Sequence, residues 1–134
     1  MEKCKQILLK RSDRIMINKG LYQDLLNRQN ESKVIDMHSH TTYSDGELSP
    51  SELIKLAIEK RVGILGITDH DTLEGVKKID RSDPLIIESG IQVINGIELS
   101  AKVPKGRMHI LGYDIDIHDK TLNAKMDELK DISI

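Results

Sequence analysis

The stretch Val34–Gly46 reads VIDMHSHTTYSDG, with Asp36, His38 and His40 at alternate positions. On an extended strand, residues two apart project from the same face. An acid and two imidazoles pack poorly against an apolar core, but together they suit a metal ion. Further residues of the same chemistry recur along the chain. Asp45 lies in the loop that follows, Asp69 and His70 follow the apolar run VGILGIT, Glu98 lies near the end of IQVINGIEL, and His109 lies within MHILGY. Imidazole nitrogen and carboxylate oxygen suit zinc, manganese or iron, and a carboxylate can bridge two ions. Closely spaced ions activate a water and stabilise charge on a phosphoryl oxygen, so the set points to metal-assisted hydrolysis of a phosphate ester. Asp36 and Asp69 are read as groups that orient imidazoles. Taken singly the residues say less: Asp45 before Gly46 is an ordinary turn residue, and His70 or His109 alone suits a structural role. His118 and Cys4 keep the ordinary reading.

These residues need a scaffold that gathers them. Val34–His40 reads as a first strand. Ser49 as N-cap, Pro50 at the first helical position and Glu52 three residues after the cap open a helix that runs to about Arg61–Gly63. Val62–Thr68 is apolar throughout, as a strand buried on both faces should be. A second helix is expected from Thr72 to about Asp80, resuming at Leu85–Glu88. Strands over Ile91–Leu99 and Met108–Tyr113 and a last helix over Thr121–Leu129 complete the order. This βαβαββα order predicts an α/β fold with a mostly parallel sheet. In such folds ligands gather at the carboxyl ends of the strands, where most of these residues fall. Residues 1–32 differ: they are basic with helix-like apolar pairs, and are read as a helical N-terminal extension interrupted at Gly20, ahead of a domain over 33–134.

Composition removes several alternatives. The chain has 134 residues, enough for one domain, with 31% charged residues and a formal net charge of -2, so no strong basic field attracts nucleic acid. Aromatic residues make up 2%, which argues against a base-stacking surface. No apolar run has the length of a membrane span, and no signal-peptide pattern opens the chain. One cysteine excludes an intrachain disulfide and fits a reducing cytoplasm. Gly63-Ile64-Leu65-Gly66 matches neither a Walker loop nor a dinucleotide fingerprint, and no serine sits in a nucleophile elbow.

The ordered motifs Asp36-Met37-His38-Ser39-His40-Thr41, Ser44-Asp45-Gly46, Thr68-Asp69-His70-Asp71-Thr72, Gly96-Ile97-Glu98-Leu99-Ser100 and His109-Ile110-Leu111-Gly112-Tyr113 resemble those of the PHP (polymerase and histidinol phosphatase) family. The resemblance runs from about Val34 to Asp116. It implies a distorted, TIM-like β/α barrel with up to three divalent metals. His38 and His40 would hold the first metal, Glu98 would bridge to a second that His109 also holds, and Asp45 and His70 would hold the third. Within the family the motifs resemble stand-alone phosphoesterases, whose substrates are phosphorylated small molecules, nucleotides or short oligonucleotides. The polymerase-associated and histidinol phosphatase branches look less similar. The resemblance also implies an Ala-His-Pro-like motif and a late Asp-x-His motif, and neither precedes Ile134. The chain is thus expected to hold the N-terminal portion of the barrel, incomplete at its C-terminal side. On that expectation it is weakly active or inactive and prone to self-association, and apolar Val62–Thr68 draws its cover from the extension or from a second copy. The alternative reading is a non-catalytic remnant that serves as a metal-binding or interaction module.

Overall fold

The computed structural model describes residues 34–132, together with Gly20 and Gln23. The extension over 1–32 otherwise lies outside the described residues. Gly20 and Gln23 are both helical, so Gly20 sits in helical backbone where a break was expected. The elements are β1 (Val34–Ser39), α1 (Pro50–Glu59), β2 (Val62–Ile67), α2 (Glu74–Lys77), α3 (Pro84–Ser89), β3 (Gln92–Lys102), β4 (Arg107–Tyr113) and α4 (Lys120–Ile132). The helix expected from Thr72 to Asp80 is a single turn. Asp83 caps α3 through a bond from the Leu85 amide to its side chain, and Pro84 takes the first helical position. The α1 start is as the sequence predicts. Ser49 accepts the Glu52 amide, and the Glu52 side chain accepts the Ser49 amide.

The four strands lie in the order β1-β2-β3-β4. β1 and β3 flank β2 in parallel, and β4 returns antiparallel along β3. One face carries the larger core, in which Ile54 and Ala57 of α1 and Met126 of α4 meet Leu65, Ile67, Val93 and Ile97 of the strands. The other face is concave and holds Ile64, Ile94 and Tyr113, with Ile35, Met37 and Leu111 against them. Three inter-strand spacings separate β1 from β4, about 14 Å in a flat sheet. Yet the Tyr113 hydroxyl donates to the Met37 carbonyl at 2.8 Å, linking the two edge strands across the concave face. The sheet is therefore strongly curled, a half-barrel. Ile64 is fully buried, and among the described residues its cluster is built from the sheet's own strands. The curled strands pack on one another there; the extension expected as cover lies outside the described residues.

A break in β1 matters for the site. Asp36 pairs with Leu65 and Ser39 with Ile67, so Met37 and His38 together stand opposite the single residue Gly66. Such a bulge interrupts the two-residue alternation. Asp36 shares the register of Leu65, on the helix-covered face, whereas Met37 packs on the concave cluster and the next residue, His38, reaches Glu98. The common face expected for Asp36, His38 and His40 is therefore lost at Asp36.

Candidate metal centre

Glu98 is the hub of the concave face. It lies in β3 opposite Leu111, with only 3% of its surface exposed. Its Oε1 meets His38 Nε2 and lies 3.4 Å from His40 Nε2. Its Oε2 lies 2.8 Å from His109 Nδ1 and 3.4 Å from His70 Nδ1. Asp45, in the exposed loop above, approaches His40 Nδ1 at 3.4 Å and His70 Nε2 at 3.2 Å. The four rings form a row, with centroids 5.1, 4.5 and 5.2 Å apart from His38 through His40 and His70 to His109.

Each donor arrives by a different route. His38 comes from the bulge and His40 from the first residue beyond β1. His70 follows β2, where the chain keeps pairing with β3: the Glu98 amide donates to the Asp69 carbonyl, and the Asp71 amide to the Glu98 carbonyl. His109 comes from the start of its strand, not the end. Because β4 is antiparallel, that start lies beside Ser100, just past Glu98. All six residues read as donors from the sequence thus converge. His118 lies exposed in the loop before α4, and Asp36 accepts the backbone amide of His38 at 3.1 Å.

Asp69 is the buried support. Its carboxylate, in a residue only 1% exposed, accepts the Thr41 amide, the Thr41 hydroxyl and the Ser44 hydroxyl, each at 2.7 Å. Those bonds pin the loop from His40 to Asp45 against the end of β2. A Cβ on Gly75 would collide with Asp69 Oδ2, and one on Gly46 with the His40 carbonyl, so glycine is the residue that fits at both points. Sequence reasoning passed over Thr41, Ser44 and Asp71. Asp71 adopts a left-handed φ of 52° and accepts the Ser100 amide at 2.7 Å, clamping β3 beside Glu98. Asp tolerates that conformation better than most residues, which is the one signal an Asp-His-Asp triplet offers.

The donor set fits divalent metal. Three overlapping groups, His38-His40-Glu98, His40-Asp45-His70 and His70-Glu98-His109, each bring their ligand atoms within 4.8 Å of one another. A buried carboxylate is costly without a compensating charge. Among the described residues the ion pairs of Glu98 are to imidazoles alone, with no Lys or Arg. A neutral imidazole offers one lone pair. His40 and His70, each shared by two groups, can therefore each serve one ion, while Glu98 has an oxygen for each of two.

Known proteins resemble the chain in sequence and in fold. The chain is 41% identical over 96 residues to the 5'-3' exoribonuclease Rnm of Salmonella typhimurium, covering 69% of this chain and 31% of that protein. It is 32% identical over 97 residues to the 3',5'-nucleoside bisphosphate phosphatase of Chromobacterium violaceum, covering 72% and 33% respectively. Among solved structures, an amidohydrolase from Chromobacterium violaceum, with bound sulfate and no metal, superposes with a TM-score of 0.64 at 32% identity, covering 72% of this chain and 33% of that one. A putative metal-dependent phosphoesterase from Bifidobacterium adolescentis superposes with a TM-score of 0.61 at 25% identity and the same coverage. The chain spans about a third of the length of these relatives. The PHP domain matches residues 36–131, a span that runs from the strand carrying His38 through the last helix. With the half-barrel, the donors at its rim and this match in agreement, the chain belongs to the PHP domain family.

Proposed function

We propose that the chain binds divalent metal through His38, His40, Asp45, His70, Glu98 and His109 and takes part in hydrolysis of phosphate esters. The observation that carries this reading is the buried Glu98 carboxylate with two imidazole nitrogens at each oxygen. His38, His40 and Glu98 would hold one ion, Glu98 and His109 a second, and Asp45 and His70 a third. Manganese, zinc and iron all suit these donors. Bound metal would supply an activated water and charge stabilisation at the phosphoryl group. The protein's own part is to hold the donors convergent, which Asp69 does from below and Asp71 from the side. Asp36, held on the His38 amide, would act on the first of these ligands through its backbone.

The names of the relatives support a nucleotide or short oligonucleotide as substrate, or another small phosphate ester. A shallow pocket of about 310 Å³ beside the Asp45 loop is lined by Thr42, Tyr43, Ser49, Pro50, Ser51 and Lys78. No described helix is long and apolar enough to cross a membrane. The single cysteine favours a cytoplasmic setting.

A second reading, a metal-binding module without turnover, is favoured by the donor count, since two of the three positions draw only two residues from this chain. Release of phosphate from an aryl phosphate by the manganese-loaded chain, lost in Glu98→Gln, supports the phosphoesterase. Metal uptake lost in Glu98→Gln without turnover in the wild type supports the module. A chain that takes up no metal refutes both.

A further inference from the structure

His40 faces two metal positions at once. Its Nε2 lies 3.4 Å from Glu98 Oε1, and its Nδ1 lies 3.4 Å from both Asp45 Oδ1 and Ser44 Oγ. The ring has one lone pair when neutral, so something must decide which nitrogen presents it. Ser44 has one hydroxyl proton, and two groups compete for it. Asp69 Oδ1 is 2.7 Å away, in a buried carboxyl group that only accepts here, whereas His40 Nδ1 is 3.4 Å away. The shorter bond is the stronger, so the Ser44 hydroxyl donates to Asp69. The Ser44 oxygen then turns a lone pair toward Nδ1. The second neighbour of Nδ1, Asp45 Oδ1, is also an acceptor. A bare nitrogen lone pair facing two acceptors is repulsive, while an N–H there meets the Ser44 oxygen as a hydrogen-bond partner and the Asp45 carboxylate as a second neighbour.

We infer that Ser44 is a positioning residue. By spending its proton on Asp69 it holds the Nδ1 proton of His40 in place. The Nε2 lone pair is thereby committed to the ion shared with His38 and Glu98, and denied to the one held by Asp45 and His70. Thr41 reinforces the device, because its amide and hydroxyl bonds fix the Asp69 carboxylate that receives the Ser44 proton. The inference rests on the metal reading above and adds to it the element that keeps two neighbouring positions from competing for one ring.

The test uses the full chain loaded with zinc, a diamagnetic probe, at a pH well above the ordinary imidazole range. Long-range proton–nitrogen correlation on ¹⁵N-histidine samples reads which nitrogen of His40 bears the proton and which binds metal. The expected result is Nε2 on zinc and a proton on Nδ1. Ser44→Ala should lower zinc affinity by about ten- to a hundredfold, the usual effect of losing an outer hydrogen-bond partner. It should also let the His40 signal split between two coordination modes. Ser44→Thr keeps the hydroxyl and should restore both readouts, which a merely structural role of the loop would not require. Zinc bound through Nδ1 in the wild type, or an unchanged His40 signal in Ser44→Ala, overturns the inference while leaving the metal reading intact. A wild-type chain that takes up no zinc overturns both.

Discussion

At the scale of single residues, the centre depends on one buried carboxylate and on what surrounds it. Glu98→Gln keeps the shape but removes the charge and one acceptor, and should lower metal content at two positions together. His38→Ala or His40→Ala should remove the ion of the first position only, and His118→Ala should leave metal content unchanged. Elemental analysis of the four purified variants checks this, and equal loss in all of them would sink the donor assignment. Gly75→Ala tests the support beneath the donors. The added methyl would meet Asp69 Oδ2 and Thr41 Oγ1, so the carboxylate must move and the loop it pins must move with it. Metal affinity should fall at least about tenfold although no donor is altered, measurable by calorimetric titration.

At the scale of elements, α1 and β3 set the frame. The reciprocal cap at Ser49 and Glu52 satisfies two first-turn amides, and Ser49→Ala should cost about 1 kcal/mol of stability. Chemical denaturation would show that loss, and metal content should not change with it. The cap also brings a pH dependence. Glu52 is held below the usual carboxylate range by its bond to the Ser49 amide, then by the Ser49 hydroxyl. Asp80 is held low by the Ser82 hydroxyl, then by the Ser82 amide. A depressed carboxylate favours the fold above its unfolded value, and that contribution is lost as pH falls through the folded value. Stability should therefore decline on acidification below the ordinary carboxylate range. Denaturation midpoints measured down the pH scale should fall less steeply in Glu52→Gln, and parallel profiles would refute the role given to the cap.

At the scale of the whole molecule, curvature brings the outer strands of the described sheet together. Tyr113 ties β4 to β1 through the Met37 carbonyl, and Tyr113→Phe should cost about 0.5–1.5 kcal/mol by losing that bond. Among the described residues, β1 and β4 are the outer strands of the sheet. Val34 at the start of β1 and Met108 and Ile110 on β4 are exposed. Unpaired edges with apolar side chains invite association. The chain should accordingly self-associate as its concentration rises, and Met108→Lys with Ile110→Lys should shift it toward monomer. Sedimentation velocity on both would decide, and a wild-type monomer throughout the accessible range would refute the expectation.

Most of the elements and the candidate donors are legible in the sequence, because both are local; the stretch from Thr72 to Asp80, only one turn of helix, is the exception. The alternation of strand and helix follows from hydrophobic period and capping residues, and the six candidate donors are legible as residue types in or beside the strands and the loop after β1. Apolar Val62–Ile67 announced its own double burial. Three matters were decided only by the tertiary structure. The bulge at Met37–His38 sent Asp36 to the helix-covered face, because one extra residue reverses every side chain before it relative to those after. The antiparallel return of β4 placed His109 at the start of its strand yet beside Glu98, which depends on pairing rather than on residue type. The Asp69, Thr41 and Ser44 network joins residues 25 and 28 positions apart. Neither spacing nor propensity encodes a contact of that range. It exists because β1 and β2 lie parallel and bring the chain beyond each strand to the same rim.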